Sequence, residues 1–239
     1  MSIVSIDISS QVSSVAVLSA ECVAAELSMQ GALTHSETLM PHIETALHMA
    51  RVKKEDLGGI AVSIGPGSFT GLRIGLAAAK MMSYALRIPL IAVPTLEALA
   101  HHYICEGVRL VALMDAQKGN VYAQEFSWRA GADGLVLHTE RSLSILPLTE
   151  VISALEGTAQ PVILLGDAMQ KRTVSSFPEG VRLAPIHARM PRAACVGLAG
   201  LHRLQRGETD DPMTAAPLYL RRSEAEVLWE KLHGPEEVQ

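Results

Sequence analysis

Three places in this 239-residue chain hold residue types that could do chemistry. Asp7 and Asp115 each follow an apolar run, IVSI and RLVALM, so each carboxylate is expected at the end of a strand. Two such carboxylates facing across a cleft could hold magnesium or share acid–base work. The plainer use is a hydrogen bond from each to its own following turn, and that reading is preferred. Ser9 and Ser10 after Asp7 could reach a phosphate, but no glycine lies in Asp7-Ile8-Ser9-Ser10-Gln11, and the side chains fill the space a phosphate would need.

The third place is Gly65-Pro66-Gly67-Ser68-Phe69-Thr70-Gly71, between an apolar strand and a helix. Pro66 stiffens the turn, and the glycines allow positive φ or close backbone approach. Ser68 or Thr70 can cap the helix, whose free N–H groups could hold an anion. The pattern is not G-x-x-x-x-G-K-[ST], which excludes a P-loop. Pro66 and Thr70 stand where a nucleophile elbow around Ser68 needs glycine. A structural turn and an anion or partner contact both remain open.

Nothing else in the chain reads as a catalytic or metal centre. His35, His42 and His48 lack the i, i+4 spacing of a helical zinc pair, and His101 and His102 point to different sides of any helix. Cys22, Cys105 and Cys195 are far apart and in no metal spacing, which fits three reduced thiols in a cytosolic protein. No metal and no cofactor is expected.

The elements that must position these residues follow from apolar runs and breakers. Strands are expected at Ile3–Ile8, Ser13–Ser19 and Cys22–Ser28, then a helix at Ser36–Ala50, a strand at Ile60–Ile64, a helix at Ser68–Arg87, a strand at Leu90–Val93 and a helix at Thr95–Ile104. Thr34 and Glu37 have capping-box spacing, which puts Pro41 in a distorted first turn or moves the helix start later. The order βββαβαβα can be read again. Its strands are Arg109–Met114, Asn120–Ser127 and Leu135–Glu140, then a helix at Leu148–Leu155 and a strand at Pro161–Leu165. A helix at Ala168–Phe177, a strand at Val181–Ala184 and a helix at Arg192–Arg206 complete it. Asp7 and Asp115 occupy matching places, as do Gly65 and Gly166. Two such units predict the α/β tandem ribonuclease-H-like domains of the actin, sugar-kinase and Hsp70 class, over 1–104 and 105–217. A tail helix within 218–233 would pack back on the first.

Two helices are oilier than a surface helix should be. Between Gly71 and Arg87 the only polar side chains are Arg73, Lys80, Ser83, Tyr84 and Arg87, so this helix is expected to be buried on two sides. Gly71, Gly75, Ala78, Ala79 and Met82 would let another backbone come close. In the helix before it, Leu39, Met40, Ile43, Ala46, Leu47 and Ala50 span an arc of about 120°. The two could form a Met-rich partner platform or an ordinary inter-helix core.

Composition narrows the partners. Hydrophobic residues are 49%, charged 19% and aromatic 4%, which predicts an aliphatic core and disfavours stacking of single-stranded nucleic acid. Residues 1–50 hold Asp7, Glu21, Glu26, Glu37 and Glu44 and no Lys or Arg. That stretch repels phosphate backbones and lacks the positive region of a secretory signal, and no run of 18 apolar residues predicts a membrane span.

The segments SIDISSQVSSVAVL, HSETLMPHIETAL, GPGSFTGLRIGLAAAK, IPLIAVPTLEALA, MDAQKGNVYAQEF and PLYLRR occur in the order of one family, from Ile3 to Arg222. The sequence resembles the TsaB (YeaZ) family, which serves synthesis of threonylcarbamoyladenosine in bacterial tRNA. The resemblance implies an actin-like fold with a shortened second half, a non-catalytic cytoplasmic subunit, and pairing with the related catalytic subunit TsaD. An ATPase, TsaE, would join, tRNA would be met only through the complex, and the chain alone would form homodimers. The implied interface is Leu39, Met40, Ile43, Leu47, Leu72, Gly75, Ala79 and Met82, with Arg73 at its rim. A bulky charged residue at Gly75 or Ala79 would then abolish pairing and spare the fold. Asp7, Ser9 and Asp115 would line a vestigial nucleotide cleft. Two departures stand out: Gln117 where the family usually has arginine, and Ile8 where it has threonine. The rival readings are a small ATP-dependent kinase or acyltransferase using Asp7 and Asp115, and a peptidase or chaperone-like protein.

Overall fold

The computed structural model describes residues 1–30, 35–132, 134–169 and 176–220. The first half runs β1 (Ser2–Asp7), β2 (Val12–Leu18), β3 (Val23–Gln30), α1 (His35–Ala50), β4 (Leu57–Gly65), α2 (Phe69–Leu86), β5 (Leu90–Pro94) and α3 (Thr95–Ala100). The second runs β6 (Arg109–Asp115), β7 (Asn120–Gly131), β8 (Gly134–Pro147), α4 (Leu148–Ser153), β9 (Val162–Leu165), β10 (Val181–Leu183) and α5 (Ala193–Gln205).

Each half builds a five-stranded sheet, and the orders are β3-β2-β1-β4-β5 and β10-β9-β6-β7-β8. In both, the first strand pairs antiparallel with the second and parallel with the fourth. The element order read twice along the sequence is therefore one topology built twice, the tandem α/β arrangement expected. Among the described residues the second copy is the leaner one. Where a helix was expected at Ala168–Phe177, a single 3-10 turn spans Asp167–Met169, and 170–175 lie outside the described residues. The hairpin β7–β8 runs longer than its apolar pattern suggested, because eleven cross-strand pairs from Asn120↔Pro147 to Gly131↔Gly134 carry it beyond the core.

Alternation along β1 separates two cores. Val4, Ile6 and Ile8 face α1 and α2 with Leu39, Ile43, Leu76 and Ala79. Ile3 faces the other way, with Ala61 and Ile91, onto α5 residues Val196, Ala199 and Leu201. So α5, last in the second half by chain order, covers the first sheet. Polar clasps hold its start. Ser5 Oγ donates to the Ala193 carbonyl at 2.7 Å, Ala194 N–H donates to Glu26 Oε1 at 3.1 Å, and Arg192 pairs with Glu26 at 2.6 Å. Glu26 thereby supplies negative charge at the positive end of a 13-residue helix.

The junction between the sheets is a buried aromatic knot. The His101 ring meets Trp128 edge-on at 5.0 Å and lies 5.8 Å from His202, while its Nδ1 is 3.0 Å from the Glu97 carbonyl. Burial holds the His101 pKa down at about 4. His102 turns the other way, its Nε2 3.0 Å from the Met190 carbonyl.

Among the described residues, no helix is long and apolar enough to cross a membrane. Thr34 of the expected capping box and the expected tail helix at Ser223–His233 lie outside the described residues.

Candidate functional site

The strand-end aspartates turn inward. Asp7 is fully buried, and its Oδ1 accepts both the N–H of Ser9 at 3.1 Å and the Ser9 hydroxyl at 2.9 Å. That is an Asx-turn, the plainer use of a strand-end aspartate. Its Oδ2 and the Ser63 hydroxyl are both buried, and neither has a partner within hydrogen-bond geometry; Ser63 is still near enough to pull the Asp7 pKa down a little. Burial pushes the Asp7 carboxyl above its ordinary range, against the pull of the Ser9 bonds. A carboxylate sealed in this way is offered neither to a cation nor to a substrate. Asp115 is half-buried, its Oδ1 accepts the N–H of Gln117 at 2.9 Å, and its own N–H donates to Asp167 at 3.0 Å. Gln117 and Lys118 take φ of 62° and 49°, so this turn is wound left-handed without help from glycine until Gly119. Among the described residues no cluster of three His, Cys, Asp or Glu could hold a metal.

The glycine loop serves the end of β1. Ser68 N–H donates to the Ser9 carbonyl at 2.7 Å, and Gly71 N–H donates to Ser68 Oγ at 3.2 Å, which caps α2. A Cβ at Gly67 would overlap the Ser9 carbonyl oxygen, and one at Gly71 would overlap that of Ile8. Glycine is required here for close approach of two backbones rather than for an anion. Two of the N–H groups that an anion would use are already bonded within the chain.

The two oily helices divide by face, and the residues of the expected interface fall on both faces. Leu39 and Ile43 of α1, and Leu72, Gly75 and Ala79 of α2, are buried against the chain's own sheet. Spacing that looked suited to another subunit's backbone serves the strands, as Gly75 lies over Ile6 and Ile8. Leu47 and Met82 are half-buried, while Met40 and Arg73 are exposed. The outward stripe of α2 is Arg73, Ala77, Met81 and Tyr84, at steps of four, four and three. Met81 is 73% exposed and Tyr84 76%. One side of α2 is packed, and the other is apolar and open. With Met40 of α1, 45% exposed, and the half-buried Ile74, Ala78 and Met82 between, it forms one Met-rich surface.

A strap from the far end of the chain borders this surface. Asp210 pairs with Leu90 at the edge of the first sheet, and Lys80 Nζ donates to the carbonyl of Ala215 at 3.0 Å. Leu218 N–H donates to the Ile64 carbonyl at 2.7 Å. Tyr219 then stacks near Phe69 at 4.9 Å, and Arg73 lies over the Phe69 ring at 3.9 Å. Sequence reasoning noticed PLYLRR only as a late motif. Nothing local shows that its tyrosine meets an arginine 146 positions earlier.

A shallow cavity of about 320 Å³ opens at the far edge of the second sheet, lined by Glu106, Gly107, Ser127, Trp128, Arg129, Glu140 and Gln160. Its charged side chains already have partners within the chain. Arg129 pairs with Glu140 at 2.5 Å, and Glu106 accepts the N–H of Ala130 at 2.8 Å.

Comparison with known proteins is consistent across the chain. The family model described as TsaD, tRNA N6-adenosine threonylcarbamoyltransferase, matches residues 30–229. The tRNA threonylcarbamoyladenosine biosynthesis protein TsaB of Bacillus subtilis (strain 168) is 29% identical over 235 residues, covering 96% of this chain and 98% of that one. TsaB of Escherichia coli (strain K12) is 26% identical over 204 residues, covering 84% and 86%. The solved structure of YeaZ from Pseudomonas aeruginosa superposes with a TM-score of 0.71 at 25% identity, covering 92% of this chain and 99% of that one.

Proposed function

The chain belongs to the TsaB (YeaZ) members of the TsaD family, and from that premise we propose that it is a non-catalytic subunit that docks a TsaD-type subunit on the outer faces of α1 and α2. Its place in threonylcarbamoyladenosine synthesis follows from that membership. The docking contacts assigned here are Met40, Leu47, Arg73, Ala77, Met81, Met82 and Tyr84. Leu39, Ile43, Leu72, Gly75 and Ala79 hold those helices in place from beneath. The observation that carries the reading is the open stripe of Ala77, Met81 and Tyr84, since a soluble chain leaves such side chains in contact with one another and with water at a cost.

The family model is described as a transferase, so a catalytic role for this chain is the natural rival. Sealed Asp7 and the glycine-free turn after it support the non-catalytic reading. In the proposed assembly an ATPase of the TsaE type joins, tRNA is met through the complex, and the chain pairs with itself when alone in the cytoplasm. The division at 104/105 separates the two sheets, with α5 standing on the first. Gel filtration of the chain mixed with its TsaD-type subunit tests the docking. A shift to a complex that Ala77→Glu abolishes is expected. Micromolar binding of ATP and magnesium to the isolated chain by calorimetry would overturn the non-catalytic role.

A further inference from the structure

We propose that Arg73 takes a carboxylate of the docked subunit, and that Phe69 and Tyr219 are the positioning residues that hold its guanidinium ready. This rests on the docking reading above and adds to it the chemistry that the partner must present.

Arg73 stands at one end of the open stripe that continues through Ala77, Met81 and Tyr84. Part of its guanidinium is already committed. Its Nε donates to the Tyr219 hydroxyl at 2.7 Å, and its central carbon lies 3.9 Å from the centre of the Phe69 ring and 5.6 Å from that of Tyr219. The two rings are 4.9 Å apart and tilted by 31°. What is left is the outer edge with its two Nη groups, on an exposed residue with no acidic partner among the described residues. From Phe69 to the cap at Arg87, α2 carries Arg73, Lys80 and Arg87 and no acidic residue. The other two cations are placed elsewhere. Lys80 turns to the strap, its Nζ 3.0 Å from the Ala215 carbonyl, and Arg87 caps the far end of the helix.

A subunit that covers the Met-rich surface must also cover this edge. A guanidinium taken out of water without an acceptor opposes association, so the docked subunit has to bring one. A planar fork with its outer N–H groups side by side matches the two oxygens of a carboxylate. A backbone carbonyl would meet the N–H groups and leave the charge unbalanced. Because the rings already fix the side chain, little rotamer freedom is lost on binding, which is the gain of a preorganised contact.

Binding of the full chain to the TsaD-type subunit, followed by surface plasmon resonance at low and at high salt, tests this. Arg73→Met keeps an apolar stem and removes the charge. It should weaken the complex by at least about tenfold and flatten its salt dependence. Arg73→Lys keeps the charge and loses the fork, so the salt dependence should stay while only part of the affinity returns. Tyr219→Phe should leave the salt dependence alone and raise the dissociation rate about two- to fivefold, since the charge remains and its anchor is gone. Arg73→Met with unchanged affinity would overturn the proposal. So would a weaker complex with unchanged salt dependence, which makes Arg73 only a tie for the strap. Arg73→Lys binding as tightly as the unmodified chain would overturn the role of the fork, and Tyr219→Phe without effect on dissociation would overturn the positioning role. Failure of the docking reading looks different: Ala77→Glu would then leave the complex intact. Loss of the complex with Ala77→Glu, beside full binding with Arg73→Met, counts against this inference alone.

Discussion

The Nε of Arg73 donates to the hydroxyl of Tyr219 at 2.7 Å, joining the second turn of α2 to a strap that arrives from the other end of the chain. The guanidinium also lies 3.9 Å from the centre of the Phe69 ring, so one cation is stacked and bonded at once. It has no acidic partner among the described residues and remains exposed. Its orientation is fixed by the two aromatic rings, and its outer nitrogens face solvent.

If Tyr219 is the clasp, removing it should loosen what it holds. Tyr219→Ala should speed amide exchange at Leu218, whose N–H is bonded to the Ile64 carbonyl. Tyr219→Phe keeps the ring and loses only the hydroxyl, so it should fall between, with a cost on the order of 0.5–1 kcal/mol for the variant that loses stacking as well. Equal protection of Leu218 in all three chains would show that the strap is held elsewhere.

Gly75 and Ala77 are two positions apart on α2, and their faces oppose. Gly75→Glu should unfold the first half, because the added side chain would run into Ile6 and Ile8, and a buried unpaired carboxylate costs several kcal/mol. Ala77→Glu should leave the melting temperature within about 1–2 °C and remove partner binding. Thermal melts beside gel filtration separate the two. A folded Gly75→Glu chain would mean that α2 is rotated from the orientation described.

This pair shows where sequence reading stopped. Apolar runs ended by Asp7 and Asp115 made the repeated sheet legible, because strand identity is a local property. Which side of α2 meets the sheet is not local. Gly71, Gly75 and Ala79 look the same whether they approach a foreign helix or the chain's own strands, and only the position of Ile6 and Ile8 decides. Met81 and Tyr84 were hidden for the opposite reason, since an exposed methionine and a buried one have the same letter. The sealed state of Asp7 was half legible. The missing glycine argued against a phosphate, but the partnerless Oδ2 depends on Ser63 from another strand.

Asp7 gives a signed expectation for pH. Burial raises its folded pKa above the ordinary value of 3.8, so the folded state binds this proton more tightly than the unfolded chain does. Its contribution to stability is whole below about pH 3.8 and is lost as pH rises through the elevated folded value. Asp7→Asn keeps an oxygen for the two Ser9 donors and puts an amide beside Ser63. It should therefore raise stability at pH 7, on the order of 1 kcal/mol, by removing an unsatisfied buried acceptor. It should also flatten the decline with pH. Asp7→Ala, which leaves the Ser9 donors without an acceptor, should destabilise. An Asp7→Asn chain that melts lower at every pH would show that the carboxylate is needed charged.

His101 carries the opposite sign. Its folded pKa is held at about 4 by burial, with His202 and Arg203 adding positive charge nearby, against 6.5 for the unfolded imidazole. Between those values the unfolded chain takes up a proton that the folded chain refuses, so stability falls as pH drops from 6.5 towards 4. The full loss from this one ring is on the order of 3 kcal/mol, and the weaker shifts of His102 and His202 run the same way. Because the ring sits between α3, Trp128 of the second sheet and His202 of α5, the loss should fall on the junction of the two sheets first. Hydrogen exchange at pH 5 should open the Trp128 indole, which donates to the Ala100 carbonyl at 3.3 Å, before the centre of either sheet. His101→Phe keeps an aromatic edge against Trp128 without the titration and should shrink the difference in stability between pH 7 and pH 5. An unchanged difference in that variant would move the acid-sensitive point away from the junction.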